Sequence, residues 1–311
     1  MAANGETEFT RNRFRSASKR SNEFPHPGFR QAILPPYPNN PKMMKKFFLL
    51  MCALIGVAVL LSSVGCKRVQ NKDPQAPDFV LVVGLDPGFP PYGFRNEKGE
   101  LVGFDLDLAK EVAKRRGWKI EFKPIDWDAK DAELDTWTIN CIWNGFTMSE
   151  DRLDKYTWTT PYVNASQVVA VKNNSDIQTL ADLAGHVVDT QKDSSGLEAI
   201  NSEEHAALKA SLKKLTPVEN YQIAFMELET GACEAVIVDD GVARDFLQKK
   251  PDQFRILEET LQDEQYGVGF KLGNNELRDL VQETLNQMIT DGTFKAISET
   301  WFNGVDMSIR E

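Results

Sequence analysis

The stretch Ile139-Asn-Cys-Ile-Trp-Asn-Gly-Phe-Thr-Met-Ser-Glu-Asp-Arg152 decides how the rest of the chain is read. Its apolar first half ends at Asn144-Gly145, the pattern of a buried strand stopped by a turn. Ser149-Glu150-Asp151 then has the form of an N-cap followed by acids in a first helical turn. A strand that runs into a helix start leaves backbone N–H groups, the Thr147 hydroxyl and the Arg152 guanidinium close together in sequence. Such donors suit a carboxylate, since a guanidinium fork takes both oxygens and the remaining donors complete the shell. The competing reading makes Arg152 a surface residue paired with Glu150, Asp151 or Asp154, and Thr147 part of an ordinary loop.

Outward from this stretch, strands alternate with helices. Upstream, 79–85 is a continuous apolar run with the character of a buried strand, followed by the rigid loop Asp86-Pro-Gly-Phe-Pro-Pro-Tyr92. A hairpin turn is expected at 96–99. A helix is expected over 104–116, stopped by Gly117, with Asp105 and Asp107 as capping residues at its start. Residues 120–125 form a strand ending at Asp126-Trp127-Asp128, and 131–137 a short helix. Downstream, strands are expected at 167–171, 187–188, 235–238 and 265–270. Helical patterns cover 179–184, 196–215, 221–229 and 276–288. Alternation of this kind implies mostly parallel α/β sheets.

Composition narrows the function. The 311 residues carry a net charge of −10, but nine of the 36 Lys/Arg and three of the 46 Asp/Glu lie in residues 1–66, so residues 67–311 carry about −16. An acidic body argues against nucleic acid as a partner. Past the N-terminal region only Cys141 and Cys233 remain, both in apolar strand-like contexts that suit buried free thiols, and only His186 and His205. No disulfide scaffold, metal site or histidine-based triad is expected, and no cofactor.

Residues 1–42 are polar and without apolar periodicity, so they are expected to be disordered or not translated, with Met43 or Met44 as the initiator. Lys45-Lys46 followed by an apolar run to Leu61 has the dimensions of a secretory signal peptide over 43–66. It ends at Ser62-Ser-Val-Gly-Cys66, which resembles a bacterial lipobox with Ser63 where Leu is commoner. Cys66 would then be lipidated, and 67–78 would be a polar tether. The alternative is an uncleaved membrane anchor, and either way the body faces outward.

Gly145-Phe-Thr-Met-Ser-Glu-Asp-Arg152, followed by Tyr156-Thr-Trp-Thr-Thr-Pro-Tyr162, resembles the carboxylate-binding segment of the solute-binding proteins of bacterial polar amino acid ABC transporters. The resemblance runs from about Phe79 to Gly304. It implies a two-lobed α/β fold of the periplasmic binding protein type 2 kind, monomeric. Lobe 1 would comprise 79–161 and 267–304, and lobe 2 would comprise 162–266, with hinge crossings near 162–166 and 262–266.

The resemblance also implies a set of site residues. Gly145, Thr147 and Arg152 from one lobe, with Ser194 and Ser195 from the other, would hold the ligand carboxylate. Asp239 would pair with its ammonium, Phe89 and Trp127 would flank its side chain, and Asp86 would reach the far end. Asp193 stands where the family usually has Gly, so its charge has to point away from a bound carboxylate. The ligand class is glutamine, arginine, lysine, histidine or cystine. The function implied is extracytoplasmic, lipid-anchored, non-enzymatic capture and delivery to an ABC permease. A prephenate or arogenate dehydratase on the same fold is the alternative enzyme. A sensor's ligand-binding module is a third reading, which a chain stopping at Glu311 disfavours.

Overall fold

The computed structural model describes residues 73–309. The expected disordered segment 1–42, the signal peptide 43–66 with Cys66, and the tether as far as residue 72 lie outside them. Among the described residues no helix is long and apolar enough to cross a membrane.

The first lobe begins with β1 (Val80–Leu85), then a small antiparallel ribbon of β2 (Gly88–Phe89), β3 (Gly93–Arg95) and β4 (Leu101–Val102). Helix α1 (Phe104–Arg116), β5 (Lys119–Pro124), α2 (Lys130–Asp135), β6 (Cys141–Ile142) and β7 (Tyr156–Trp158) follow. The second lobe contains β8 (Val163–Lys172), β9 (Val187–Gln191), α3 (Ser195–Asn201), α4 (Ala206–Ser211), β10 (Lys214–Val218), α5 (Tyr221–Thr230), β11 (Ala235–Asp239), α6 (Asp240–Lys249) and β12 (Phe254–Ile256). The chain returns through β13 (Gln262–Tyr266) to β14 (Gly269–Lys271), α7 (Asn275–Thr290) and α8 (Thr293–Trp301).

Each lobe is built on one sheet, in the order β5-β1-β6-β14-β7 and β10-β9-β11-β8-β12, with β13 also paired to β8. Both sheets are mixed: all strands but one in each run the same way, and β14 and β8 are the reversed strands. The reason is topological. Strands β1, β6, β9 and β11 end at Asp86, near Asn144, at Gln191 and at Asp239, all on the cleft between the lobes. A chain entering a sheet from the cleft has to run against those strands, and β8 and β14 are the strands that follow the two passages between lobes.

Both faces of each sheet are covered, which is why the strands read as apolar runs rather than alternations. In β1, Leu81 and Val83 pack with Phe104, Leu108 and Val112 of α1, whereas Val82 packs with Ile139, Ile142 and Phe146. In the second lobe, Val168, Ala170, Val236 and Val238 face one cluster, and Val169, Val171, Ala235 and Ile237 the other. Cys141 and Cys233 are buried free thiols in these cores.

Several local expectations are corrected. Glu150–Arg152 is a single 3-10 turn rather than a helix start, and Ser149 makes no side-chain cap there; its hydroxyl donates to Glu198 instead. Asp105 and Asp107 do not cap α1, whose N-cap position is Gly103. The helix expected over 196–215 breaks into α3 and α4, and its end is the strand β10. Pro217 hides that strand from pattern reading, yet an edge strand tolerates a proline. The helix α6 is absent from the sequence reading because Asp239-Asp240-Gly241 reads as a turn.

Candidate functional site

Asp86, Phe89, Trp127, Gly145, Thr147, Arg152, Ser194, Ser195 and Asp239 line one cavity between the lobes, together with Asn144 and Gln191. The free cavity volume there is about 10 Å³, so the side chains stand close-packed around the site. A larger open groove runs along β13, but its lining contains acids and neither a base nor an aromatic ring, so it does not suit a zwitterion.

Backbone geometry explains Gly145. It has φ +56, and a Cβ would stand 2.6 Å from Phe89 Cε1, so a side chain would be strained and would push the ring out of the cavity wall. Its N–H donates to Asp105 Oδ2 at 2.6 Å, and Asp105 Oδ1 accepts from the Tyr162 hydroxyl at 2.9 Å. Asp105 is therefore a buried clamp on the turn. Burial pushes its carboxyl up to about 7, against the lowering effect of those hydrogen bonds.

Arg152 is buried at 3% exposure, and Nη2 lies 2.7 Å from Glu198 Oε1. Nε also donates to Glu198, Nη2 to the Asp193 carbonyl at 3.0 Å, and the guanidinium lies over the Phe146 ring at 5.2 Å. The local ion pairs offered by the competing reading are replaced by one across the cleft, from the 3-10 turn to α3. Thr147 Oγ1 lies 3.1 Å from Ser195 Oγ, again across the cleft. Ser194 is the N-cap of α3, accepting from Leu197 N at 3.1 Å.

At the other end, Asp239 holds the N-cap position of α6 but makes no side-chain cap, and its Oδ1 accepts from the Tyr266 hydroxyl at 2.6 Å. Burial pushes it up to about 6, while the Tyr266 hydrogen bond pulls the other way. Asp86 Oδ1 accepts from Gly88 N at 2.7 Å and Oδ2 from Gln191 Nε2 at 2.6 Å. Burial raises its carboxyl also, offset in part by Gln191 and Gly88. Phe89 is tilted against Tyr92 and Tyr221, and Trp127 meets Phe146 edge to face.

Asp193 turns its carboxylate away from the cavity. It sits at φ 54 and forms an ion pair with the buried Lys130 of α2, while its carbonyl accepts from Trp127 Nε1 at 3.2 Å. Lys130 Nζ in turn lies over the Trp127 ring at 5.5 Å. Lys130, Gln191, Glu198 and Glu264 were not named from the sequence. No spacing signal marks them, because each acts on a partner in the opposite lobe or on the return strand. Among the described residues no cluster of His, Cys, Asp and Glu suits a metal ion.

The model of the family described as bacterial extracellular solute-binding proteins, family 3, matches residues 81–304. The chain is similar to the L-cystine-binding protein TcyJ of Escherichia coli (strain K12), 32% identical over 230 residues that make up 73% of this chain and 84% of that protein. It is similar in structure to an ABC uptake transporter substrate binding protein from Streptococcus pneumoniae with bound histidine. That likeness has a TM-score of 0.71 and 29% identity, covering 74% of this chain and 95% of the other. A structure of Tv2483 bound to L-arginine gives a TM-score of 0.70 at 33% identity, over 74% of this chain and 93% of the other.

Proposed function

The chain belongs to the bacterial extracellular solute-binding proteins of family 3, and we propose that it captures a polar amino acid outside the cytoplasm and delivers it to an ABC permease. The observation that carries this reading is the single cavity that gathers one guanidinium, three hydroxyls, two acids and two aromatic rings from both lobes. Arg152, Thr147, Ser194 and Ser195 take the ligand carboxylate; the Gly145 N–H, expected to join them, is spent on Asp105, so Gly145 shapes the turn rather than donating to the ligand. Asp239 takes the ammonium, Phe89 and Trp127 flank the side chain, and Asp86 meets its far end, where aromatic faces favour a cation or an amide. Relatives named for cystine, histidine and arginine support a ligand of that class.

The lobes are assigned as 79–161 with 267–304 and as 162–266, with β8 and β13 as the hinge pair. Pairing of Gln262 with Gln167 through Tyr266 with Val163 supports that assignment. A lipid on Cys66, after removal of 43–65, would anchor the protein; C66S should then lose membrane partitioning and keep ligand binding.

A thermal-shift panel of the twenty amino acids with cystine and ornithine tests the reading. Ligand at a hundredfold excess over Kd stabilises by about 2.7 kcal/mol, a shift of several degrees. Shifts are expected among glutamine, arginine, lysine, histidine and cystine, and none with glutamate, whose second carboxylate would face Asp86. A strong shift with glutamate or leucine would overturn the pocket polarity, and no shift with any amino acid would overturn the function.

A further inference from the structure

Behind the Thr147 and Ser195 hydroxyls stands an acid that amino-acid capture as described leaves unused. Glu264 lies on β13, opposite Ala165 of β8, and is 6% exposed. Its Oε2 accepts from Thr147 Oγ1 at 2.8 Å, and from Ser195 Oγ and Gln167 Nε2 at 3.3 Å. Its Oε1 is buried and has no hydrogen-bond partner among the described residues. The very hydroxyls assigned to a ligand carboxylate are thus engaged from behind by one of the protein's own carboxyl groups.

We propose that Glu264 is a positioning residue for the ligand carboxylate, and that capture of an α-amino acid in this cleft requires it protonated, so that binding takes up a proton from solvent wherever Glu264 is ionised. The inference rests on the amino-acid reading above. Its basis is that a hydroxyl has a single proton to give. Ionised, Glu264 is an acceptor only and draws the Thr147 proton toward itself, so Thr147 turns a lone pair toward the cavity. An incoming carboxylate then meets oxygen lone pairs with a second negative charge behind them. Protonated, Glu264 donates to Thr147 Oγ1, and Thr147 turns its own proton to the ligand. The relay pairs Glu264 Oε2 with Thr147 Oγ1 and makes the two carboxyl groups cooperate rather than compete.

The surroundings favour the protonated form. Facing Glu264 are Asp239 at the end of β11, Tyr266 of β13 and Tyr221 of α5. The open groove that Glu264 also lines carries Glu150 and Asp151 of the 3-10 turn, Glu198 of α3, Asp240 of α6 and Asp263 of β13. The nearby base, Arg152, reaches the Thr147 carbonyl at 3.5 Å but is paired with Glu198. Burial, followed by the Asp239 charge, pushes the Glu264 carboxyl up to about 8. Asp239 contributes with the opposite sign, because pairing with an ammonium favours its ionised form and releases any proton it holds. Proton uptake on binding therefore reports on Glu264 and not on Asp239.

The test is calorimetric titration of the full chain with L-arginine, L-histidine and L-cystine in turn, at pH 7.5, in buffers of different ionisation enthalpy. For a probe that binds, the wild type at pH 7.5 should take up about a quarter of a proton, the share of Glu264 still ionised there, rising toward one proton above pH 9, and Kd should weaken toward tenfold per pH unit as pH rises above about 8. In E264Q the amide supplies a fixed donor to Thr147. That variant should take up no proton, and the ratio of its Kd to the wild-type Kd should fall by about tenfold between pH 7 and 9; the ligand's own titration divides out of that ratio. A constant ratio, or a folded E264Q that binds none of the probes, would overturn the inference. Zero uptake by a wild type that binds would do so too, and that measurement decides even if E264Q fails to fold. A wild type that binds no probe at any pH would overturn the amino-acid reading itself, and this inference with it.

Discussion

Replacing Asp193 separates closure of the cleft from ordinary stability, because two effects at that residue have opposite signs. Its backbone holds φ 54, a conformation that costs an L side chain and that glycine adopts freely. D193G should therefore leave the melting temperature of the ligand-free protein unchanged or raise it, by up to about 1 kcal/mol or ~4 °C. The same substitution removes the carboxylate that meets Lys130 across the cleft, and keeps the carbonyl that accepts from Trp127 and Arg152. Lys130 is buried at 3% side-chain exposure while Asp193 is 46% exposed, so the pair ranks between an exposed and a buried ion pair. With solvent screening it is worth about 1 kcal/mol to the closed form, which weakens ligand binding about fivefold. K130M should show the same loss, and the double variant no more than either, since both remove one interaction. Calorimetric Kd values with parallel melting curves decide the matter. Losses that multiply to about 25-fold in the double variant, or a melting temperature that falls along with affinity, would refute this role of the Lys130–Asp193 pair in closure.

Three further outcomes follow from the site. R152A removes a desolvated guanidinium and leaves Glu198 without its partner, so amino-acid affinity should drop by about 30-fold to more than 1,000-fold; a loss under threefold by calorimetry would exclude Arg152 from the carboxylate site. D239N should weaken binding of an α-amino ligand far more than that of its deaminated analogue, and equal losses for both would remove Asp239 from the ammonium site. Burial pushes the Asp105 carboxyl from its ordinary 3.8 up to about 7, so its contribution to stability is complete below about pH 4 and is lost as pH rises through about 7. Thermal melts from pH 4.5 to 7.5 should therefore slope less in D105N, and an identical slope would assign the dependence elsewhere.

The alternation of strands and helices was legible because its signals are local, whereas the division into two lobes came from the family resemblance. Apolar runs at 80–85 and 235–238 state buried strands, and Gly117 and Gly231 in the left-handed conformation stop α1 and α5 where the pattern ends. The misreadings fall where a tertiary neighbour overrides that local signal. Strand β10 contains Pro217 and reads as the tail of a helix, yet pairing with β9 at the sheet edge holds it extended. Asp105 looks like a helix-opening acid, and only the fold brings it to the Gly145 amide and the Tyr162 hydroxyl, at separations of 40 and 57 residues.

Thr147 and Arg152 were nameable from the strand-and-turn pattern around them, and the other cavity residues from the family resemblance. Most of them sit in loops just past a strand, where polar and aromatic residues among Gly, Pro and Asp stand out against an apolar run. Their partners carry no such mark. Arg152 meets Glu198 across 46 residues, Thr147 meets Glu264 across 117, and Lys130 meets Asp193 across 63. Each of these contacts links segments on different sides of the cleft or on the return strand, so each depends on how the lobes come together rather than on spacing. Charge makes the consequence concrete. One guanidinium, already paired, shares the cavity with Asp86 and Asp239, with Glu264 behind the Thr147 and Ser195 hydroxyls, and burial pushes all three acids toward their neutral forms. A cavity so charged favours a ligand that brings positive charge to Asp239 and a cation or an amide to Asp86. It also makes the second carboxylate of glutamate the costliest group to admit, because the donors at the Asp86 end, Gln191 Nε2 and the Gly88 N–H, are already spent on Asp86.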